Sequence, residues 1–267
     1  MLVSIMGDDR IDAAIAVRGP DFRCPGCKGI VILHKGRKVI AHFKHKPPTD
    51  CTWAKGETKA HLEAKRILFD ALTGRGHKAQ IECVIPALPG DRRADVVASS
   101  PKGQQVAIEL QHTPIGLDEI ERRAFSYARE GIAQIWVPFV RPSVWKNGKK
   151  IGKMWFVERY AARPFERWIH GLNMKCGMWM YDPDRKVFWL GRLKEHEIYV
   201  EETRWYAEGG EENYGGGYSR TSKLFKELTL EGPYEAGELL ITINSRSAFR
   251  TKTYNWPAGY LARFVLA

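Results

Sequence analysis

Apolar positions recur every three to four residues from Thr58 to Thr73. Leu62, Lys65, Leu68, Phe69 and Leu72 fall on this spacing, which predicts a helix, with Gly74 and Gly76 beyond its end. From Lys78 to Ile85 the period drops to two: Ala79, Ile81, Cys83 and Ile85 alternate with polar neighbours, as in a half-buried strand. Pro86, Pro89 and Gly90 break that strand. Arg93–Ser99 reads as a second strand, Pro101-Lys102-Gly103 as a turn and Gln104–Gln111 as a third strand. Leu117–Glu130 reads as a helix; its early Asp118, Glu119 and Glu121 and its late Arg129 suit the helix dipole. Ala133–Val140 is an apolar strand, and the preceding helix supplies the crossover that makes it parallel. The predicted order is helix, three strands, helix, strand.

The flanks read differently. Ile30–His34 and Lys38–Phe43 form a hairpin through Lys35-Gly36-Arg37. Downstream, Gly177–Tyr181 and Lys186–Leu190 form a second hairpin through Asp182-Pro183-Asp184, and Glu238–Ile243 and Tyr260–Leu266 read as strands. Glu208–Gly217, rich in Gly and Glu, reads as a mobile loop. The predicted fold class is α+β to α/β, in three parts. Residues 1–54 form a zinc-ribbon-like hairpin module, residues 55–140 an αβββαβ core, and residues 141–267 a basic, Trp-rich, β-rich C-terminal region.

Composition changes the picture in one respect. Apolar content of 44% and charged content of 27% are ordinary for a globular chain, but a net charge of +11 over 267 residues favours a polyanionic partner. Twelve Lys/Arg against four Asp/Glu put +8 of that charge in residues 141–192, whereas 55–140 carry +1. No apolar run approaches the roughly 18 residues that span a bilayer, and Asp8, Asp9, Arg10 and Asp12 interrupt any signal-peptide core. Five cysteines, odd in number and unevenly placed, argue against a secreted disulfide framework and for a reducing cytoplasm. On charge alone that polyanionic partner is either nucleic acid or an anionic membrane surface, and no membrane-spanning segment is expected.

Cys24-Pro25-Gly26-Cys27 is a knuckle that points two thiolates at one ion. The hairpin behind it returns His42 and His45, and Cys51 follows Pro47-Pro48. Zinc needs four ligands, and five candidates lie here: Cys24, Cys27, His45 and Cys51, with His42 competing for the histidine place. Four filled positions make a structural Zn2+ site. A redox Cys-x-x-Cys opens a helix, whereas here a hairpin follows.

In the core, a turn centred on Lys102 sets Asp95 opposite Glu109. Like charges across a strand pair repel, so the pair is costly unless a cation lies between them. Gln111 shares the face of Glu109. Oxygen ligands in this arrangement suit a hard divalent ion, Mg2+ or Mn2+, which activates water against a phosphodiester. Both carboxylates read as ligands of an exposed site. Glu57, His61 and Lys65, spaced by four, fall along one side of the first helix, where the plain reading is a solvated charged face.

Five tryptophans, Trp145, Trp155, Trp168, Trp179 and Trp189, sit among the basic residues 141–192. They suit base stacking beside phosphate-tracking cations, or the core of a small second domain, with the latter favoured for most of them. Lys146, Lys149, Lys150 and Lys153, next to Asn147-Gly148, read as a DNA-binding loop, and the C-terminal region as a surface for a protein partner.

The pieces together resemble the PD-(D/E)XK nucleases and, within them, the CoiA-like competence nucleases. The resemblance rests on Cys-Pro-x-Cys at 24–27, His-Phe-Lys-His at 42–45 and Gly-Glu-x3-His-x3-Lys at 56–65. It continues with Arg-Arg-Ala-Asp-Val at 92–96, Ile-Glu-Leu-Gln at 108–111 and an Arg/Tyr-bearing helix before Ile-Trp-Val at 135–137. It implies a restriction-endonuclease-like core, a catalytic metal on Asp95 and Glu109, and Gln111 in the usual place of a catalytic lysine. Lys65 or His61 is then placed to supply the charge that Gln111 lacks, and Glu57 to complete or orient the metal site. The implied activity is metal-dependent DNA hydrolysis in competence, recombination or foreign-DNA processing. The alternative is a DNA-binding or scaffolding protein that kept the fold and lost turnover.

Overall fold

A computed structural model of the chain describes residues 1–37, 39–51, 53, 57–86, 92–100 and 103–267. Its first strands, β1 (Val3–Met6) and β2 (Asp9–Asp12), turn at Gly7 with φ +61°, and β3 (Phe22–Arg23) pairs with β1. Next come β4 (Ile30–His34) and β5 (His42–His45), which complete an antiparallel sheet in the order β2-β1-β3-β4-β5. The return strand therefore starts four residues later than the sequence pattern predicts, and Lys38 lies outside the described residues.

Helix α1 (Lys59–Gly74) starts at Thr58, whose Oγ1 accepts from the His61 amide at 3.2 Å, a side-chain cap for one otherwise unpaired donor. Leu62, Ala64, Lys65, Leu68 and Leu72 form its buried face. It is followed by β6 (Lys78–Ile85), β7 (Arg92–Ser99), β8 (Gln105–Gln111), α2 (Leu117–Arg129) and β9 (Ala133–Pro138), the predicted order. β6, β7 and β8 are antiparallel, and β8 and β9 run parallel with Ile108 opposite Ile135. The expected turn residues Pro101 and Lys102, and the strand breakers Pro89 and Gly90, lie outside the described residues. The register from Ser99↔Gln105 to Val96↔Ile108 nevertheless makes Asp95 and Glu109 the next residues along.

The rest of the chain supplies α3 (Pro142–Asn147), β10 (Lys149–Ile151), β11 (Met154–Tyr160), α4 (Pro164–Leu172), β12 (Met178–Asp182) and β13 (Val187–Val200). Then follow β14 (Thr203–Tyr206), β15 (Glu212–Gly215), β16 (Tyr218–Tyr234), β17 (Leu239–Arg246), β18 (Phe249–Arg250), β19 (Asn255–Trp256) and β20 (Gly259–Leu266). β10, β11, β16, β13 and β12 make one sheet in that order. β17 and β20 instead extend the central sheet, whose order is β17-β20-β9-β8-β7-β6. β20 lies parallel to β9 with Leu261 opposite Gln134, so the central sheet crosses the expected boundary at residue 140.

An apolar cluster covers each side of this sheet, one around Tyr127, Trp136 and Trp168, the other around Leu68, Ile108 and Phe188. Trp168, Trp179 and Trp189 are buried and Trp145 and Trp155 are half-buried against one another, so these rings are core and not a stacking platform. The predicted loop at Glu208–Gly217 is another departure. Its second half forms β15, which pairs with β14 from Thr203↔Gly215 to Tyr206↔Glu212. A strand of alternating Glu, Asn, Tyr and Gly carries no hydrophobic period, so only its partner reveals it.

Candidate functional site: a charged cleft beside a thiol cluster

The first turns of α1 lie over the ends of β6, β7 and β8. The expected solvated face of Glu57, His61 and Lys65 is in fact turned inward: Lys65 is 0% exposed. Water solvates a lone ammonium far better than protein does, so such a lysine must be paired. Its Nζ donates to Glu57 Oε1 at 2.6 Å and to Glu82 Oε1, and lies 3.9 Å from Asp95 Oδ1. His61 Nε2 is 3.1 Å from Asp95 Oδ2 and its Nδ1 is 3.6 Å from Glu57 Oε1. Arg93 Nη2 reaches Glu57 Oε1 at 3.2 Å, and the Leu110 amide donates to Asp95 Oδ2 at 2.8 Å. Burial by itself would raise the Asp95 carboxyl, but His61, Lys65 and the Leu110 amide hold it well below the usual carboxylate range. Glu57 is likewise held low: burial opposes, and Lys65 and Arg93 prevail. Burial opposes charge on His61 too, yet Asp95 keeps the imidazole above its ordinary value.

Glu109 faces the same cleft but is held differently. Arg123 Nη2 donates to both of its carboxylate oxygens at 2.8 Å, and the Tyr127 hydroxyl donates to Oε1. Burial pushes Glu109 up despite Arg123. The expectation of exposed carboxylates is thus corrected: Asp95 and Glu109 are both buried, each supplied with its own cations from α1 or α2. Gln111 lies at the cleft mouth, its Nε2 donating to the Thr113 carbonyl. The cleft, about 380 Å³, is lined by Glu57, His61, Asp95, Glu109 and Gln111 together. Donor atoms of Glu57, His61 and Asp95 lie within 4.8 Å of one another, close enough for one ion.

Four residues of this network, Arg93, Arg123, Tyr127 and Glu82, carry no role in the sequence reading. Arg123 and Tyr127 sit on the helix that carries part of the resemblance, one turn apart, on the side that meets β8. Glu82 was hidden because it occupies a polar phase of the β6 alternation. Its φ of +53° breaks that alternation and turns it inward, where Oε2 accepts from the Leu2 and Val3 amides at 2.8 and 3.2 Å.

At the N-terminus, Cys24, Cys27, His45 and Cys51 gather with all ligand atoms within 4.8 Å of one another. The knuckle is formed by Cys24 N→Gly29 O at 2.8 Å and Lys28 N→Cys24 O at 3.0 Å, and Cys27 Sγ lies 3.3 Å from His45 Nε2. Gly26 has no room for a side chain: a Cβ there would fall 2.4 Å from the Trp53 ring. Burial pushes the Cys24 thiol up to about 11, the mark of a sulfur that needs a cation to ionise. Three sulfurs and one imidazole make a four-ligand set that could hold a metal such as zinc. His42 stands apart from it, with Nδ1 2.8 Å from the Ile40 carbonyl and its ring stacked on His34. Trp53, beside this cluster, lies under Arg93 at 5.3 Å and so connects it to Glu57.

Lys146 lies in the last turn of α3, Lys149 and Lys150 lie on β10 and Lys153 follows in the turn to β11. All four are exposed, one in the last turn of α3 and three on the β10–β11 hairpin, where the sequence reading expects a loop.

Residues 57–194 match the family described as competence protein CoiA, nuclease-like domain, and residues 9–54 match competence protein CoiA, N-terminal domain. Among curated proteins, the chain is similar to the competence protein CoiA of Bacillus subtilis (strain 168), with 31% identity over 117 residues. That stretch is 43% of this chain and 31% of the relative, so the match spans about a third of the relative's length. No solved structure matches the chain. Among the described residues, no helix is long and apolar enough to cross a membrane.

Proposed function

The chain belongs to the CoiA family through its nuclease-like domain, and from that footing we propose that it is a divalent-metal-dependent deoxyribonuclease with a PD-(D/E)XK-type site and a structural zinc. The observation that carries this reading is the convergence of Glu57, His61, Asp95, Glu109 and Gln111 on one cleft. The donor set fits a hard or borderline divalent ion, because Asp95 and Glu57 stay ionised and, with His61, bring donor atoms within 4.8 Å of one another; Glu57 Oε2 is held by the N-terminal ammonium of Met1 at 3.3 Å. Asp95 and Glu109 would hold Mg2+ or Mn2+, with Glu57 completing or orienting the site. Such an ion supplies activation of water and neutralisation of charge on the scissile phosphate.

The chain's own residues do the rest. His61, at the cleft surface beside Asp95, is the group placed to hand a proton to or from water. Lys65 has no exposed surface, so it acts through its charge, fixing Glu57 and Asp95 in place. Gln111 offers an amide where a lysine would offer charge. Arg123 and Tyr127 set the orientation of Glu109. Cys24, Cys27, His45 and Cys51 are the zinc ligands of this reading, the exposed lysines bind DNA, and the setting is cytoplasmic processing of DNA in competence or recombination.

The test is incubation of the purified protein with single- and double-stranded DNA in Mg2+, Mn2+ or EDTA. Cleavage should require the metal and fall by more than about 100-fold in Asp95→Asn and in Glu109→Gln. Full cleavage in both variants overturns the assignment. A second reading, a DNA-binding protein without turnover, is favoured by the uncharged Gln111 and by the bidentate hold of Arg123 on Glu109. It predicts DNA binding with no cleavage in any metal.

A further inference from the structure

Residues 197–218 oppose the charge of the whole molecule. They hold six Glu and one Arg, a net −5 in a chain of net +11. They form a tip from the end of β13, the β14–β15 hairpin and the start of β16, entirely beyond the 57–194 match. Pairing continues to Val200↔Tyr218, and Gly216, at φ +95°, closes against Glu201, whose carbonyl would lie 2.0 Å from any Cβ there. The tip is a specified structure, yet it buries none of its five aromatic rings. Tyr199, Trp205, Tyr206, Tyr214 and Tyr218 are each more than half exposed. So many exposed rings on one small hairpin mark an interaction surface.

The carboxylates interleaved with these rings decide what that surface meets. They repel a polyanion and favour a basic face. Among the described residues, Glu202 and Glu212 find a cation only in Arg204, at 3.3 and 3.9 Å, within the tip itself. The same chain carries the complementary face: residues 141–192 hold +8, with Lys146, Lys149, Lys150 and Lys153 exposed on α3 and the β10–β11 hairpin. We propose that the acidic aromatic tip docks on this basic face of a second copy of the chain, and that DNA competes with the tip for it. Given reciprocally, the contact closes a two-fold dimer; given once, it continues head to tail.

Analytical ultracentrifugation across a salt series tests this, and neither outcome depends on cleavage. Wild type should self-associate at low salt and dissociate as salt rises. Two charge-reversed variants, Glu201→Lys/Glu202→Lys/Glu212→Lys and Lys146→Glu/Lys149→Glu/Lys150→Glu/Lys153→Glu, should each associate at least about 10-fold more weakly, while their mixture regains association. A short DNA duplex should release wild-type monomers, and the tip variant should keep or gain DNA affinity, which also reports that it is folded. A wild type monomeric at low salt, a mixture that stays monomeric, or a tip variant that is folded by circular dichroism but loses DNA binding overturns the proposal.

Discussion

Lys65 has three carboxylates around it and no solvent-exposed surface. Its charge is stabilised by Glu82 and Glu57 against the cost of burial, and removing it leaves those acids facing one another. Breaking a buried ion pair from one side costs about 3–5 kcal/mol, because the abandoned charge stays buried. Lys65→Met should therefore lower unfolding free energy by about that much. Lys65→Met/Glu82→Gln should recover most of it, since the amide still accepts from Leu2 and Val3 without carrying charge. Urea denaturation of the single and double variants measures this; a neutral Lys65→Met would mean that the carboxylates are not balanced through this lysine. The sequence made Asp95, Glu109 and the 57/61/65 spacing legible, because strand register and helical period are local rules. It did not reveal that Lys65 is enclosed, nor that Glu82 closes the cage, because a positive φ inside a strand reverses which face a residue takes.

Among the elements, the thiol knuckle is the one whose loss should travel furthest. It holds β3 and β4 through Cys24 and Gly29, while Trp53 reaches Arg93 and β1 reaches Glu82. The N-terminal sheet thus leans on Glu82, which pairs with Lys65 beneath the cleft, and on Arg93, which holds Glu57 at its lining. Elemental analysis of protein purified without chelator should find about one zinc per chain. Cys24→Ser or Cys27→Ser should abolish that zinc and lower the melting temperature of the N-terminal sheet; metal-free wild type would count against the site. The four clustered side chains were readable because the knuckle and the returning hairpin are sequence-local. Excluding His42 was not, since it depends on where β5 begins. Strands β1 and β2 escaped notice because Asp8, Asp9 and Arg10 read as an interruption, whereas they form a turn and an exposed strand edge.

At the scale of the whole molecule, the last strand decides the architecture. β20 returns to lie beside β9, and no local period could announce a partner that far away in the chain, so residues 141–267 read as a separate region although they complete the central sheet. Trp168 and Met180 share an apolar cluster with Tyr127 and Trp136, so the +8 of residues 141–192 is packed against the sheet that carries the cleft, whose surroundings, residues 55–140, contribute only +1. A cleft lined by Glu57, Asp95 and Glu109 repels phosphate, so affinity for DNA has to come from cations outside it. Lys146, Lys149, Lys150 and Lys153 are suited to this: they are exposed, and none forms an ion pair among the described residues. Replacing all four with Ala should weaken DNA binding while leaving the melting temperature nearly unchanged. The slope of log affinity against log salt should flatten by about one unit for each phosphate that the variant no longer neutralises. Because the cleft is untouched, cleavage at saturating DNA should persist in this variant, whereas the Asp95→Asn protein should bind with the full slope and fail to cut. Identical slopes for wild type and the four-lysine variant would move the DNA-binding surface elsewhere on the molecule.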